Sequence, residues 1–473
     1  MPNIERSVAD LLSRLSGIVH VHEGALEVAD PARLRADGIR DLAWTAAFTD
    51  DAATAEVAQW LVWEAAQQLG ARSASIHELY MARARGEVSG FTVPAINIRA
   101  QTFDMARIAF ETAETYDVAA VILELARSEQ TYTFQRPIDY STACLAGAIA
   151  AHWQGPVFLQ GDHYQFNAKK YAADAETMTD EIRRACRLAI DAGYRNIDID
   201  ASTLVDLALD GEDAQQRTNY ERTAEMVALI RSLEPDGVTI SIGGEIGEVG
   251  KENSTEAELR AYLDGLRPEL ARDGGAGGSN GVGISKVSVQ TGTSHGGVVL
   301  PDGTVGSAAV DFDVHRRLGE VGRREYGVAG TVQHGASTLP DELFHKFREV
   351  ETVEIHLATG FQNALYEHPA FPKELHEQIE SWCFANALDE RKGDQTDQQF
   401  VYTTRKKALG PFKRELWDLE SKDQILSAQA RKIAFLYHEL GVEGSRAMVE
   451  RYVQPVEWHR PLPAALAEVV AAR

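Results

Sequence analysis

The run PVFLQGDHYQFN (residues 156–167) sets an acid and an imidazole at the end of a short apolar stretch. Pro156 to Leu159 have the length and composition of a buried strand, and Asp162–His163 stand where that strand would surface. Whether the pair is a reactive site or a polar loop depends on what else the chain brings to the same end of its sheet. Seven further runs have the same character: FTVPAINI (91–98), AAVILELA (119–126), NIDIDAS (196–202), TISIGGEIG (239–247), ISKVSVQTG (284–292), GVAGTVQHG (327–335) and TVEIHLAT (352–359). Between them lie segments such as DMARIAFETAETY, TDEIRRACRLAIDAG and NYERTAEMVALIRSLE, where apolar residues recur at three and four spacing. Eight strand–helix units predict an α/β fold, a (β/α)8 TIM barrel with helical N- and C-terminal extensions. No GxGxxG or Walker A loop follows any of these strands, which weakens a nucleotide-binding reading.

The chain of 473 residues is long enough for such a barrel, which takes about 250 residues, with flanks on both sides. The expected divisions are a helical extension over 1–88, the barrel over 89–370 and a second helical extension over 371–473. The Gly-rich stretch RDGGAGGSNGVG (272–283) reads as a flexible insertion before the sixth strand. A formal net charge of −24 argues against nucleic acid and anionic membrane surfaces as partners, while leaving room for a small anion held by a local field. Cys144, Cys186 and Cys383 are scattered and odd in number, which suits a reducing compartment. The N-terminal MPNIERSVADLLSRL lacks the pattern of a signal peptide, and no apolar run approaches a membrane span. The expectation is a soluble, cytoplasmic protein.

In a barrel of this type, chemistry collects at the C-terminal ends of the strands. There the third strand offers Asp162 and His163, the fourth Asp198 and Asp200, the fifth Glu245, the sixth His295 and the seventh His334. Any one of these is an ordinary loop residue. Three histidines converging on one axis, two of them followed by glycine, form the donor set of a catalytic zinc site with one open position. His315, His345 and His368 fall in helical segments or at their ends and read as surface residues.

The motifs GDH, IDIDAS, GGEIGEVGKE, TSHGG and QHGAS, in this order over roughly residues 90–370, resemble class II fructose-bisphosphate aldolase. The resemblance implies a zinc-dependent aldolase that cleaves a phosphorylated ketose reversibly through an enediolate. By it His163, His295 and His334 correspond to the zinc ligands, one ion per chain. Asp200 and Glu245 match acids beside an alternative metal position, with room for a second divalent or monovalent cation. Asp162 corresponds to the acid/base residue. Gly296, Gly335 and Ser337 match the phosphate site, and His356 and Thr359 fall at the substrate end of the eighth strand. The chain departs from the family where His356 replaces an expected Asn. It departs again after the fifth strand, where GKENS leaves Glu252 as the nearest substitute for the residue that handles the enediolate proton. In the late run YTTRKKAL (402–409), Arg405 matches best an Arg that reaches a second phosphate. The family also implies a sugar-phosphate substrate and a homo-oligomer of two or four chains. Competing readings are a metal-dependent lyase on a different sugar, a non-catalytic assembly subunit like the partner of tagatose-bisphosphate aldolase, and Schiff-base chemistry at Lys251 or Lys286. Lys286 opens its strand at the wrong end of the barrel, and Lys251 lies in a polar loop.

Overall fold

All eight apolar runs form strands in the computed structural model, which describes residues 3–247, 252–277, 282–292, 298–300, 305–306 and 310–471. They are Val93–Asn97 (β1), Ile122–Ala126 (β2), Gly155–Gln165 (β3), Asn196–Asp200 (β4), Ser241–Glu245 (β5), Lys286–Ser288 (β6), Thr331–Gln333 (β7) and Glu354–Leu357 (β8). Each strand pairs in parallel with the next, and β8 pairs with β1, so the sheet closes into a (β/α)8 TIM barrel. Every residue of β1 and β2 is buried, as expected of parallel strands covered on the outside by helices.

The covering layer includes Thr102–Thr115 (α1), Pro137–Ala150 (α2), Ala175–Asp191 (α3), Glu212–Leu233 (α4), Glu256–Gly277 (α5), Phe312–Val321 (α6), His345–Glu349 (α7), Thr359–Tyr366 (α8) and Lys422–Glu439 (α9). In α3 the Asp174 side chain caps the first turn by accepting from Thr177 N–H at 3.0 Å, and Met178, Ile182, Cys186 and Ala189 form its buried stripe. α9 comes from the C-terminal flank yet packs against α1, where Tyr437 OH donates to Ala109 O at 3.1 Å. The N-terminal flank is stitched in at the bottom. Its short strand Ala71–Ser73 pairs with Gly155–Val157 at the start of β3, and Asn196 Nδ2 donates to Ala74 O at 3.2 Å and Leu159 O at 3.0 Å. The two flanks also meet each other, with Trp63 Nε1 donating to Trp458 O at 2.8 Å.

Three expectations need correction. Residues 1–88 are not all helical: besides Ala71–Ser73 they contain a hairpin of Val19–His22 and Ala25–Val28. Strands of three or four residues are too short to show a period of two, and Ala71–Ser73 exists only through its distant partner. The Gly-rich stretch is in part regular, since α5 continues through Gly277, while 278–281 lie outside the described residues. His315 is fully buried rather than on the surface. It lies on the inner face of α6 beside Val314 and Leu318, with Nδ1 2.9 Å from Thr331 Oγ1 and Nε2 2.6 Å from Gln333 Oε1. Burial lowers its pKa to about 4, so the ring is neutral and its two hydrogen bonds satisfy it. Among the described residues, no helix is long and apolar enough to cross a membrane.

The barrel interior is polar, where branched apolar side chains usually fill such a barrel. Glu124, Gln160, Asp198, Lys286, Glu354 and His356 are all buried there. Lys286 Nζ donates to Gln160 Oε1 at 2.8 Å, Glu354 Oε1 at 2.5 Å and Asp198 Oδ2 at 3.1 Å. Gln160 Nε2 in turn donates to Glu354 Oε1 at 2.6 Å and Glu124 Oε2 at 3.0 Å, and Tyr80 OH donates to Glu354 Oε2 at 2.5 Å. Gly243 of β5 makes room for this cluster, because a Cβ there would collide with Asp198 Oδ1.

On the outer side of β3, Gly161 leaves space for the Tyr164 ring, which a Cβ would strike. Gly161→Ala should therefore cost about 1–3 kcal/mol, the usual range for overpacking. Urea unfolding of the two proteins measures it; an unchanged midpoint would mean that the ring moves aside freely.

Candidate active site

The register between β3 and β4 slips just where the acid–imidazole pair stands. Gly161 pairs with Ile197 and Tyr164 with Ile199, so Asp162 and His163 together oppose the single residue Asp198. This is a β-bulge, and His163 takes the left-handed backbone conformation within it at φ 44°. Successive residues of a regular strand face opposite sides. The bulge overrides that alternation, and both Asp162 and His163 line one cavity at the mouth of the barrel.

Around His163 the strand ends converge. Its Nδ1 lies 3.2 Å from Asp200 Oδ2 and 3.4 Å from Glu245 Oε2, and its Nε2 lies 3.8 Å from Asp162 Oδ1. Glu245 Oε2 is also 3.8 Å from His334 Nε2. The run IDIDAS explains how Asp200 is held. Its Oδ1 accepts from Ser202 N–H at 3.0 Å and Ser202 Oγ at 2.7 Å, while Oδ2 accepts from Gln165 Nε2 at 2.6 Å. His334 is 3.1 Å from Ser288 Oγ through Nε2. The rings of His163 and His334 lie tilted against each other with centroids 4.2 Å apart, and those of His334 and His356 do so at 4.1 Å. Three imidazoles thus form a row with acids at both ends. Asp200 and Glu245 flank His163; at the far end Glu124 Oε2 lies 2.9 Å from His356 Nδ1 and Glu354 Oε1 lies 2.8 Å from His356 Nε2.

The electrostatics follow from this crowding. Burial works against charging His163, but Asp162, Asp200 and Glu245 outweigh it and raise its pKa well above the usual value. Burial also opposes ionisation of Asp162, and His163 and His356 overcome it and hold the carboxylate ionised. Burial wins at two other acids, pushing Asp198 up to about 6 and Glu124 up to about 8. At Lys286, Asp198 and Glu354 prevail over burial and raise the pKa, so the amine stays charged, the opposite of what a Schiff-base nucleophile needs.

The cavity has a volume of about 550 Å³. Of the residues expected from sequence, Asp162, His163, His334, Gly335, Ser337, His356 and Thr359 line it. Asp200 and Glu245 stand behind His163. Arg405 is elsewhere: it is buried between Tyr366 and Tyr402, donating to Glu367 Oε1 and Asn363 Oδ1, both at 2.8 Å. Glu252 is exposed and does not line the cavity. His295, Gly296 and Lys251 lie outside the described residues. Among the described residues, the cations that line the cavity are Arg99, Arg127 and Lys406. Arg99 is paired with Glu129 at 2.6 Å, whereas neither Arg127 nor Lys406 has an ion-pair partner among the described residues.

The donors fit a metal. His163, Asp200 and Glu245 offer ligand atoms within 4.8 Å of one another, as do Asp162, His163 and His334. Imidazole and carboxylate together suit a borderline divalent ion such as zinc, and a cation among them would relieve the mutual repulsion of the acids.

The class-II fructose-bisphosphate aldolase family model matches residues 80–413. Among solved structures, a fructuronate-tagaturonate epimerase from Cohnella laeviribosi aligns at TM-score 0.55 and 11% identity, covering 90% of each chain. A probable tagatose 6 phosphate kinase from Sinorhizobium meliloti 1021 aligns at TM-score 0.51 and 16% identity, covering 80% of this chain and 98% of that one. The fructose-bisphosphate aldolase of Campylobacter jejuni aligns at TM-score 0.46 and 13% identity, covering 79% and 97%. No curated protein sequence matches significantly. The epimerase and kinase alignments show the fold. The family match spans most of the chain, and the protein belongs to the class-II fructose-bisphosphate aldolase family.

A metal held by this cluster should be lost with its ligands. His334→Ala and His163→Ala should each remove most of the bound divalent metal while retaining the far-ultraviolet circular dichroism of the parent. Elemental analysis after gel filtration reads the stoichiometry, and full occupancy in either variant would exclude that residue from the ligand set.

Proposed function

We propose that this member of the class-II fructose-bisphosphate aldolase family cleaves a phosphorylated ketose reversibly by metal-dependent aldol chemistry in the cytoplasm. The observation that carries the reading is the bulge at the end of β3, which aims an ionised Asp162 and the imidazole of His163 into one cavity beside His334. Zinc is the proposed ion, with His163, His334 and, by the resemblance, His295 as ligands; when bound it would polarise the ketone and offset the negative charge of the enediolate.

The chain's own residues account for the rest. Asp162 accepts the proton of the hydroxyl on the carbon beyond the scissile bond during cleavage and returns it during condensation. Asp200, fixed by Ser202 and Gln165, orients His163. Gly335 and Ser337 follow His334 at the cavity wall, where the resemblance puts the phosphate. Arg127 and Lys406, cations without acidic partners among the described residues of a chain of net charge −24, supply a local positive field for an anionic substrate. The same pair suits a planar carboxylate, which supports a second reading: a keto-uronate, the kind of sugar named for the Cohnella laeviribosi epimerase, in place of a phosphate ester.

A retro-aldol screen of ketose mono- and bisphosphates and keto-uronates, with metal-loaded protein, separates the readings. Turnover of a phosphate ester over its unphosphorylated sugar by at least tenfold supports the first; the reverse preference for a uronate supports the second. On whichever substrate is best, Asp162→Asn should keep its metal and lose about 10²–10⁴-fold in kcat. A loss below about tenfold would remove Asp162 from the acid/base role.

A further inference from the structure

We propose that Glu124 is the residue that removes and returns the proton on the enediolate carbon, a task distinct from the hydroxyl proton handled by Asp162. The inference rests on the aldolase reading above and names a catalytic residue within it. Glu124 sits in the middle of β2, in register opposite Asn97 of β1 and Gln160 of β3, and it lines the cavity although its residue surface is fully buried. Its Oε2 is engaged by Gln160 Nε2 at 3.0 Å and lies beside His356 Nδ1, while its Oε1 has no hydrogen-bond partner among the described residues. The paired Asn97 Oδ1, also at the cavity, is likewise without a partner. Two buried oxygens without donors cost free energy unless a ligand or a bound proton meets them. A polyhydroxylated substrate carries the hydrogens that would do so.

Charge points the same way. The interior holds the carboxylates of Glu124, Asp162, Asp198 and Glu354 beside the cationic groups Lys286, His356 and, at Asp162, His163. Two of these carboxylates line the cavity with an oxygen that has no hydrogen-bond partner among the described residues, Glu124 and Asp162, and Asp162 is already assigned to the hydroxyl proton. Burial raises the pKa of Glu124 to about 8, close to working pH, where a general base is most effective. Glu252, the substitute suggested by the sequence, is exposed and outside the cavity lining.

The Glu124 carboxylate takes the proton from the carbon next to the ketone, the C–H pair forms the enediolate double bond, and the carbonyl π pair moves to its oxygen. In the cleavage direction the C–C bond pair becomes the enediolate, Glu124 starts protonated and gives its proton to that carbon as the ketone re-forms, and the resulting carboxylate takes a proton from water to complete the cycle.

Hydrogen exchange into the ketone fragment isolates this step, because it needs no aldehyde. Metal-loaded protein is incubated in D2O with dihydroxyacetone phosphate, and separately with dihydroxyacetone, and the loss of the carbon-bound proton is followed by NMR. The parent should exchange one or both probes. Glu124→Gln, which preserves shape, should slow exchange by about 10²–10⁴-fold at unchanged metal content. Glu124→Asp, which keeps the carboxylate, should recover at least tenfold over Glu124→Gln. Exchange within tenfold of the parent in Glu124→Gln, or loss of exchange in Glu252→Gln with Glu124→Gln active, would overturn the assignment. So would loss of metal in both Glu124 variants, which would make the residue structural. A parent protein that exchanges neither probe would instead overturn the aldolase reading on which the assignment rests.

Discussion

The ammonium of Lys286 is the charge on which the barrel interior depends. It sits at the start of β6, nearly without solvent, and ties Asp198 of β4, Glu354 of β8 and Gln160 of β3 together across the axis. Carboxylates placed in such surroundings without a cation would be expelled or protonated. With Lys286 present, polar residues can occupy the space that apolar side chains fill in an ordinary barrel, and the floor of the cavity becomes a hydrogen-bonded layer. His356 rests on that layer through Glu354, and Glu124 joins it through Gln160. The same layer carries Asp162 by way of His356, 3.3 Å from Asp162 Oδ1. Removing one charged partner from a buried pair of this kind costs about 3–5 kcal/mol, so the layer is both a structural requirement and the support of the reactive groups.

Most of the fold was legible in the chain because parallel strands covered by helices must be apolar runs, and eight of them stand out. The strand ends were legible for the same reason: once the order of strands is known, the residues that follow each one share a face. The flanks were harder. Ala71–Ser73 has no pattern of its own and exists as a strand through its pairing with Gly155–Val157. His315 looked like a surface residue because its partners, Thr331 and Gln333, are supplied by β7.

The site was legible in part. Asp162 and His163 are adjacent, and no periodicity could place both on one side; the bulge that does so arises from pairing with β4. Glu124 and Glu354 were read simply as members of strands, and Lys286 was weighed only as a Schiff-base amine at the wrong end of the barrel. A signal for them was present. Gln160 and Asp162, Asp198 and Asp200, Lys286 and Ser288, Glu354 and His356 are each spaced by two, the spacing of side chains on one face of a strand. Charged residues in runs otherwise fit for burial are rarely tolerated unless paired, so polar groups recurring at this spacing marked an interior lined for chemistry. Arg405 shows the opposite error: a family position was matched by residue type, while the cavity-facing cation is its neighbour Lys406.

The row of three imidazoles divides the site into two ends. Both ends group donors that could hold a metal, and the proposed function gives the metal to the Asp200 and Glu245 end and proton transfer to the Glu124 and Glu354 end. A crystal structure of the zinc-soaked protein, with anomalous data collected across the zinc edge, tests that division directly. One strong peak is expected about 2.0–2.1 Å from a nitrogen of each of His163 and His334, with His356 free of metal. A peak centred instead on Glu124, Glu354 and His356, or none at the cavity, would contradict that division.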